Sequence, residues 1–204
     1  MTIRLFFSPA SPFVRKVMVV AHERGVEIEK LPSAAWPVKR DPEIVRHNAT
    51  GKVPCLLLED DTPVFDSRVI CAYVDSKGTV GETLYPQDAR RFTILTLEAL
   101  GDAILEAALL HRYENVLRPE EKRWDDWSRG QMEKVDSGLD DLEGRWFDAI
   151  SDGFHAGSIA AACALGYLDF RFAGKDWRAT HPKLAKWFAG VSARPSLAAS
   201  VPAA

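Results

Sequence analysis

RLFFSPASPFVRKVMVV, residues 4–20, is the stretch on which the reading of this chain turns. The apolar run at residues 3–7 suits a short strand, Ser8-Pro9-Ala10-Ser11 breaks it, and a helix begins at Pro12. Ser11 falls at the helix N-cap, where its hydroxyl can accept from a free amide of the first turn. Pro12 fits the first helical position because its missing N–H would have been orphaned anyway. Phe13, Val14, Val17, Met18 and Ala21 then recur on one helical face, with Arg15, Lys16, Glu23 and Arg24 largely off it, and Gly25 supplies a stop. A hydroxyl, unpaired amides and the positive end of a helix dipole thus meet at one point, which suits an anion such as a thiolate.

Working outward, residues 27–31 read as a second strand, making a β-α-β unit with a short crossover and so a parallel pair. Residues 32–50 are irregular, with room for a short helix from Pro42 to His47 capped by Asp41. Gly51-Lys52-Val53-Pro54 leads into a buried strand at residues 55–58. After a turn at 59–62, Pro63-Val64-Phe65 pairs back antiparallel, and Asp66-Ser67 opens a helix with Val69, Ile70, Tyr73 and Val74 on its apolar positions. Composition then shifts: 79–87 has the Gly, Thr and Pro content of a linker, and everything beyond it is helical in period. Four helices are expected there. The third, residues 159–172, is apolar almost all round and should lie at the centre of a bundle.

With 204 residues, 47% of them hydrophobic and 27% charged, the chain is long enough for a core that needs no disulfide support. A net charge of −3 argues against a broad nucleic-acid or anionic-membrane surface. No apolar run approaches the ~20 residues of a membrane-spanning helix. The opening MTIRLFFSP is too short in apolar residues for a signal-peptide core. Cys55, Cys71 and Cys163 are odd in number and far apart, so they read as buried thiols rather than a disulfide or metal framework, and a cytoplasmic location is expected. His22, His47, His111, His155 and His181 are scattered, and no HExxH, GxGxxG or GxxxxGK[ST] occurs, so no metal is expected.

Three motifs in order, Ser8-Pro9-Ala10-Ser11-Pro12-Phe13-Val14-Arg15-Lys16-Val17, Gly51-Lys52-Val53-Pro54 and Phe65-Asp66-Ser67, make the chain resemble the glutathione transferase superfamily over nearly its whole length. The resemblance implies an α/β thioredoxin-like N-terminal domain (1–78), a linker (79–87) and an all-α helical-bundle C-terminal domain (88–204). It implies a homodimer that binds glutathione as co-substrate and attacks a small hydrophobic electrophile. On that resemblance Val53 pairs through its backbone with the cysteinyl part of glutathione and Pro54 is cis. Asp66 and Ser67 hold the γ-glutamyl end, while Lys39 and Lys52 face the glycyl carboxylate. Each has a plainer reading too: a loop-to-strand junction, a helix cap and solvated lysines.

Ser11 precedes the helix-starting proline as Cys does in thiol-using relatives. A serine cannot form a mixed disulfide, so the resemblance implies that Ser11, or failing it Ser8, hydrogen-bonds the glutathione sulfur and favours its thiolate. Pro9, Phe13, Leu105, Leu109 and Tyr113 are the implied lining of the electrophile pocket, although an apolar stripe on a helix also suits a core. Relatives commonly open the buried helix with Ser/Thr-x-x-Asp. Here Ser158-Ile159-Ala160-Ala161 offers only half of such a cap. Rival readings are a non-catalytic glutathione-binding protein of the same fold and a glutathione-dependent isomerase or dehalogenase.

Overall fold

Alternation decides the first half of the chain, and a computed structural model describes residues 3–202. Strand β1 (Ile3–Phe7) pairs parallel with β2 (Ile28–Pro32) and antiparallel with β3 (Cys55–Leu57), which in turn pairs antiparallel with β4 (Pro63–Val64). The sheet order is β2-β1-β3-β4. Phe6, Cys55 and Leu57 pack on one face with Ile44 of helix α2 (Pro42–His47). Because side chains alternate, Leu5 and Leu56 turn to the opposite face, and both are fully buried. Helices α1 (Pro12–Arg24) and α3 (Ser67–Ser76) pack against each other, burying Val14, Val17, Ile70, Cys71 and Val74.

Two compact units result. One takes residues up to Asp88 together with those from Arg194 onward; the other is Ala89–Ala193. The returning tail changes the environment of α1. Spacing alone puts Arg15, Lys16 and Arg24 off the apolar face, yet all three are buried. Arg15 donates from Nη2 to the Leu197 carbonyl (3.1 Å), and Glu23 accepts from Arg194 and Ser196 (2.7 and 2.5 Å). Arg24 sits beside Asp75 (2.9 Å) and donates to the carbonyls of Val80 and Gly81 (2.5 and 2.6 Å). Asp75 also accepts from the Thr83 hydroxyl (2.6 Å) and the Leu84 amide (2.8 Å). The Gly-rich stretch that reads as a linker is therefore pinned to the first unit, with Leu84 and Tyr85 buried.

In the second unit, α4 (Arg91–Val116) packs along α5 (Asp125–Glu143) and α7 (Ala156–Arg171), with short α6 (Phe147–Ser151), α8 (Trp177–Thr180) and α9 (Pro182–Val191) beside them. Another short helix, α10 (Pro195–Ala198), belongs to the tail on the first unit. Gly101 permits the close α4–α7 approach, since a Cβ there would stand 2.8 Å from Ala160. The cap of helix α7 lies three residues before the position expected from the sequence. His155 is the N-cap and Ser158 is the third helical residue: the His155 ring accepts from the Ser158 amide (3.2 Å) and the Ser158 hydroxyl accepts from the His155 amide (2.7 Å). Both halves of the reciprocal cap are present, so the Ala161 position lacks nothing.

Two predictions follow from these anchors. Asp75→Ala leaves the Arg24 guanidinium buried without its carboxylate and should cost about 3–5 kcal/mol in urea unfolding. The His155 ring must be neutral to accept at Nδ1, and burial, ahead of the nearby Arg90 charge, lowers its pKa from the ordinary 6.5. The unfolded chain then binds the extra proton first, so this cap contributes fully above about pH 6.5 and is lost as pH falls through the lower folded value. His155→Asn, which caps without titrating, should flatten that part of the stability–pH curve.

Candidate functional site

Strand register assembles the site. The β1–β3 ladder ends at Phe6 opposite Cys55, with Ser8 just past that end of β1 and Val53-Pro54 just before β3. The β3–β4 ladder ends at Leu56 opposite Val64, with Asp66 and Ser67 following β4. Ser8, Val53, Pro54, Asp66 and Ser67 therefore gather at one end of the sheet, where α1 and α3 both begin. Two helix N-termini with their partial positive charges converge there.

The turn from β1 to α1 is closed by the Ser11 amide donating to the Ser8 carbonyl (3.1 Å). Ser11 has extended backbone angles and accepts at Oγ from the Val14 amide (3.3 Å). Its own hydroxyl proton remains available, and it is half-buried. Among the described residues nothing accepts from the Phe13 amide, so two donors stand together at this helix end. Pro9 is exposed and Phe13 half-buried beside them.

The opposite wall depends on Asn48, a residue that motif reading overlooks. It is 2% exposed, accepts at Oδ1 from both the amide and hydroxyl of Thr50 (3.0 and 2.8 Å), and donates from Nδ2 to the Lys52 carbonyl (2.9 Å). Its sequence signal is the Asn-x-Thr-Gly of an Asx turn. Gly51 at φ +66° completes the turn, and the Val53–Pro54 peptide that follows is cis, as is Phe65–Asp66. The Val53 side chain packs on the core, while no hydrogen bond within the described residues engages its backbone. Lys52 and Lys39 are exposed. Lys39 closes the Trp36–Lys39 turn through its amide, and nothing ties its ammonium to the other residues named here.

Asp66 caps α3: its Oδ1 accepts from the Arg68 amide (3.0 Å), and Oδ2 lies 3.6 Å from the Arg68 guanidinium. Ser67 is 3% exposed, and its hydroxyl has no partner among the described residues. In the second unit, Leu105 is fully buried, the core role also open to it, while Leu109 and Tyr113 are half-buried on α4. No group of three or more His, Cys, Asp or Glu among the described residues could hold a metal, and no described helix is long and apolar enough to cross a membrane.

Family models and solved structures match the chain along most of its length. Residues 10–77 match the glutathione S-transferase N-terminal domain and residues 125–190 the glutathione S-transferase C-terminal domain. An uncharacterized GST-like protein of Escherichia coli, YibF, is 33% identical over 98% of both chains. A glutathione transferase family member from Pseudomonas fluorescens, solved with bound glutathione, superposes with a TM-score of 0.96 at 42% identity, covering 99% of this chain and 100% of that one. One from Methylobacterium radiotolerans, in complex with glutathione sulfonate, gives 0.90 at 34% identity, covering 100% and 96%.

The chain's own thiols are poor nucleophiles. Cys55, Cys71 and Cys163 are fully buried, and burial pushes the Cys55 thiol up to about 11. A thiol reagent at neutral pH should leave the native protein unmodified and label all three cysteines once urea unfolds it. Stoichiometric labelling of the native state would contradict this burial.

Proposed function

Because the chain belongs to the glutathione S-transferase family, we propose that it binds glutathione at this sheet end and activates the bound thiol for attack on a small hydrophobic electrophile. The observation that carries the reading is the pair of uncommitted donors at the start of α1, the Ser11 hydroxyl and the Phe13 amide. Donors aimed at a sulfur stabilise its anion more than its protonated form, so the thiolate fraction rises at neutral pH. Ser8 is the alternative donor.

The free Val53 backbone suits pairing with the cysteinyl residue as an added strand would. The Ser67 hydroxyl and the first amides of α3 suit the γ-glutamyl carboxylate, and Asp66 Oδ2 suits its ammonium. Lys52 and Lys39 are the proposed partners of the glycyl carboxylate, and Pro9 and Phe13 meet the electrophile. The reading extends to a cytoplasmic homodimer, for which the exposed Phe65 and Val69 supply apolar surface.

A pH titration of the thiolate absorbance of bound glutathione tests the proposal. The wild type should ionise it at least one unit below the free value, a unit being worth about 1.4 kcal/mol. Ser11→Ala should return it towards the free value and lower kcat/KM by about tenfold or more. The rate should therefore level off at a lower pH in the wild type than in the variant. Ordinary ionisation in both, with binding intact, would instead identify a glutathione-binding protein without transferase chemistry.

A further inference from the structure

The helical unit carries a second set of unspent donors. Arg112 and Tyr113 lie near the end of α4, and Tyr167 and Arg171 lie one turn apart near the end of α7, the helix against which α4 packs most extensively. The four side chains share one neighbourhood: the Arg112 charge bears on Tyr113, Tyr167 and Arg171, and Tyr167 also feels Tyr113 and Arg171. None of these four side chains makes a hydrogen bond or ion pair within the described residues. Arg171 Nε is buried without a partner among the described residues, and Tyr167 is 1% exposed with no hydrogen-bond partner for its hydroxyl among them. The carboxylates close in sequence are committed elsewhere: Asp169 to Arg178 and to the Trp177 indole (2.6 and 2.9 Å), and Glu114 to Arg118 and the Trp124 amide (2.7 and 2.9 Å).

Two guanidiniums that share a neighbourhood without a carboxylate between them repel, and a half-buried setting screens that repulsion poorly. Burial raises both phenols, Tyr167 to about 12, so each stays a neutral O–H donor at physiological pH. The set therefore offers donors and positive charge and no acceptor opposite them. The Arg171 guanidinium is held 3.8 Å over the Phe170 ring, which orients its planar fork. The Phe172 ring stands 6.2 Å from Tyr167 and 5.6 Å from His111, giving an apolar flank.

We propose that Arg112, Tyr113, Tyr167 and Arg171 form a binding site for the carboxylate of a small organic acid with an apolar or aromatic body. A planar carboxylate matches a guanidinium fork in two parallel hydrogen bonds and leaves lone pairs for the phenols. As a statement about binding, the site stands apart from the transferase reading. As a statement that the electrophile bears an acid group, it rests on that reading.

The test is calorimetric titration of the full-length protein with benzoate, and with methyl benzoate as the uncharged counterpart. Benzoate should bind the wild type at least tenfold more tightly than the ester. Arg112→Gln and Arg171→Gln should each weaken benzoate at least tenfold, leave the ester unchanged and leave glutathione affinity within twofold. Neither should lower the melting temperature, because each removes an unpartnered like charge; a structural cation would lower it. Tyr167→Phe, which keeps the ring and removes only the hydroxyl, decides the matter if a Gln variant fails to fold: it should weaken benzoate at least threefold. Equal binding of acid and ester, or benzoate affinity unchanged in the variants, overturns the site. Tighter binding of inorganic phosphate with the same arginine dependence overturns the carboxylate assignment. Retained benzoate binding with ordinary ionisation of bound glutathione upholds the site while the transferase reading fails.

Discussion

The pairing of β1 with β3 is the constraint on which the rest of the first unit depends. Side chains alternate along a strand, so a slip of β3 by one residue would send Cys55 and Leu57 to the face now held by Leu56. Both faces are buried, against α2 on one side and against the α1–α3 pair on the other, and no slipped register satisfies both. The same pairing leaves Ser8 and Val53 at one end of the β1–β3 ladder, and β4 leads from it into Asp66 and Ser67. The packing that holds this register also seats the Val53 side chain against Phe6, Cys55 and Leu57.

What could be read from the sequence, and what could not, divides along the range of the forces involved. Ser11-Pro12, Asp41-Pro42 and Asp66-Ser67 each start a helix in the structure as local rules require, because a cap and the amides it satisfies lie within three residues. Strand spans and the Gly25 stop are local in the same sense. The burial of Arg15, Lys16 and Arg24 was not legible. Helical period assigns a charged residue to the outside unless something distant covers it, and here the cover comes from the tail and the 79–85 segment. The α7 cap was misread for a related reason. A Ser-x-x-Asp pattern counted from Ser158 does not describe this cap, in which His155 serves as acceptor and Ser158 takes the returning role.

At the candidate site the sequence motifs single out residues for the proposal but not the residues that support them. Ser11, Val53, Asp66 and Ser67 stand in recognisable motifs. Asn48 stands in none, yet it holds the turn that presents Val53, because its amide spans the turn in both directions. Arg112 and Arg171 were invisible as a pair for a stronger reason: 59 residues separate them, and only the α4–α7 packing permitted by Gly101 makes them neighbours.

Folded chains leave few buried polar groups without partners, so the exceptions carry information. Arg15 Nη1 is one, but that guanidinium is already tied to the Leu197 carbonyl and lies near the Ser200 hydroxyl, so it serves as a strap between α1 and the tail. The donors around Arg171 differ in kind. There the unspent groups are four, they sit on two helices, and two of them repel. Folding gains nothing from that arrangement, since apolar residues at the same positions would pack without electrostatic cost. An arrangement unfavourable to the isolated chain and complementary to an anion is accounted for when the anion is counted as part of it, and the proposed thiolate at the start of α1 would meet the open donors there in the same way.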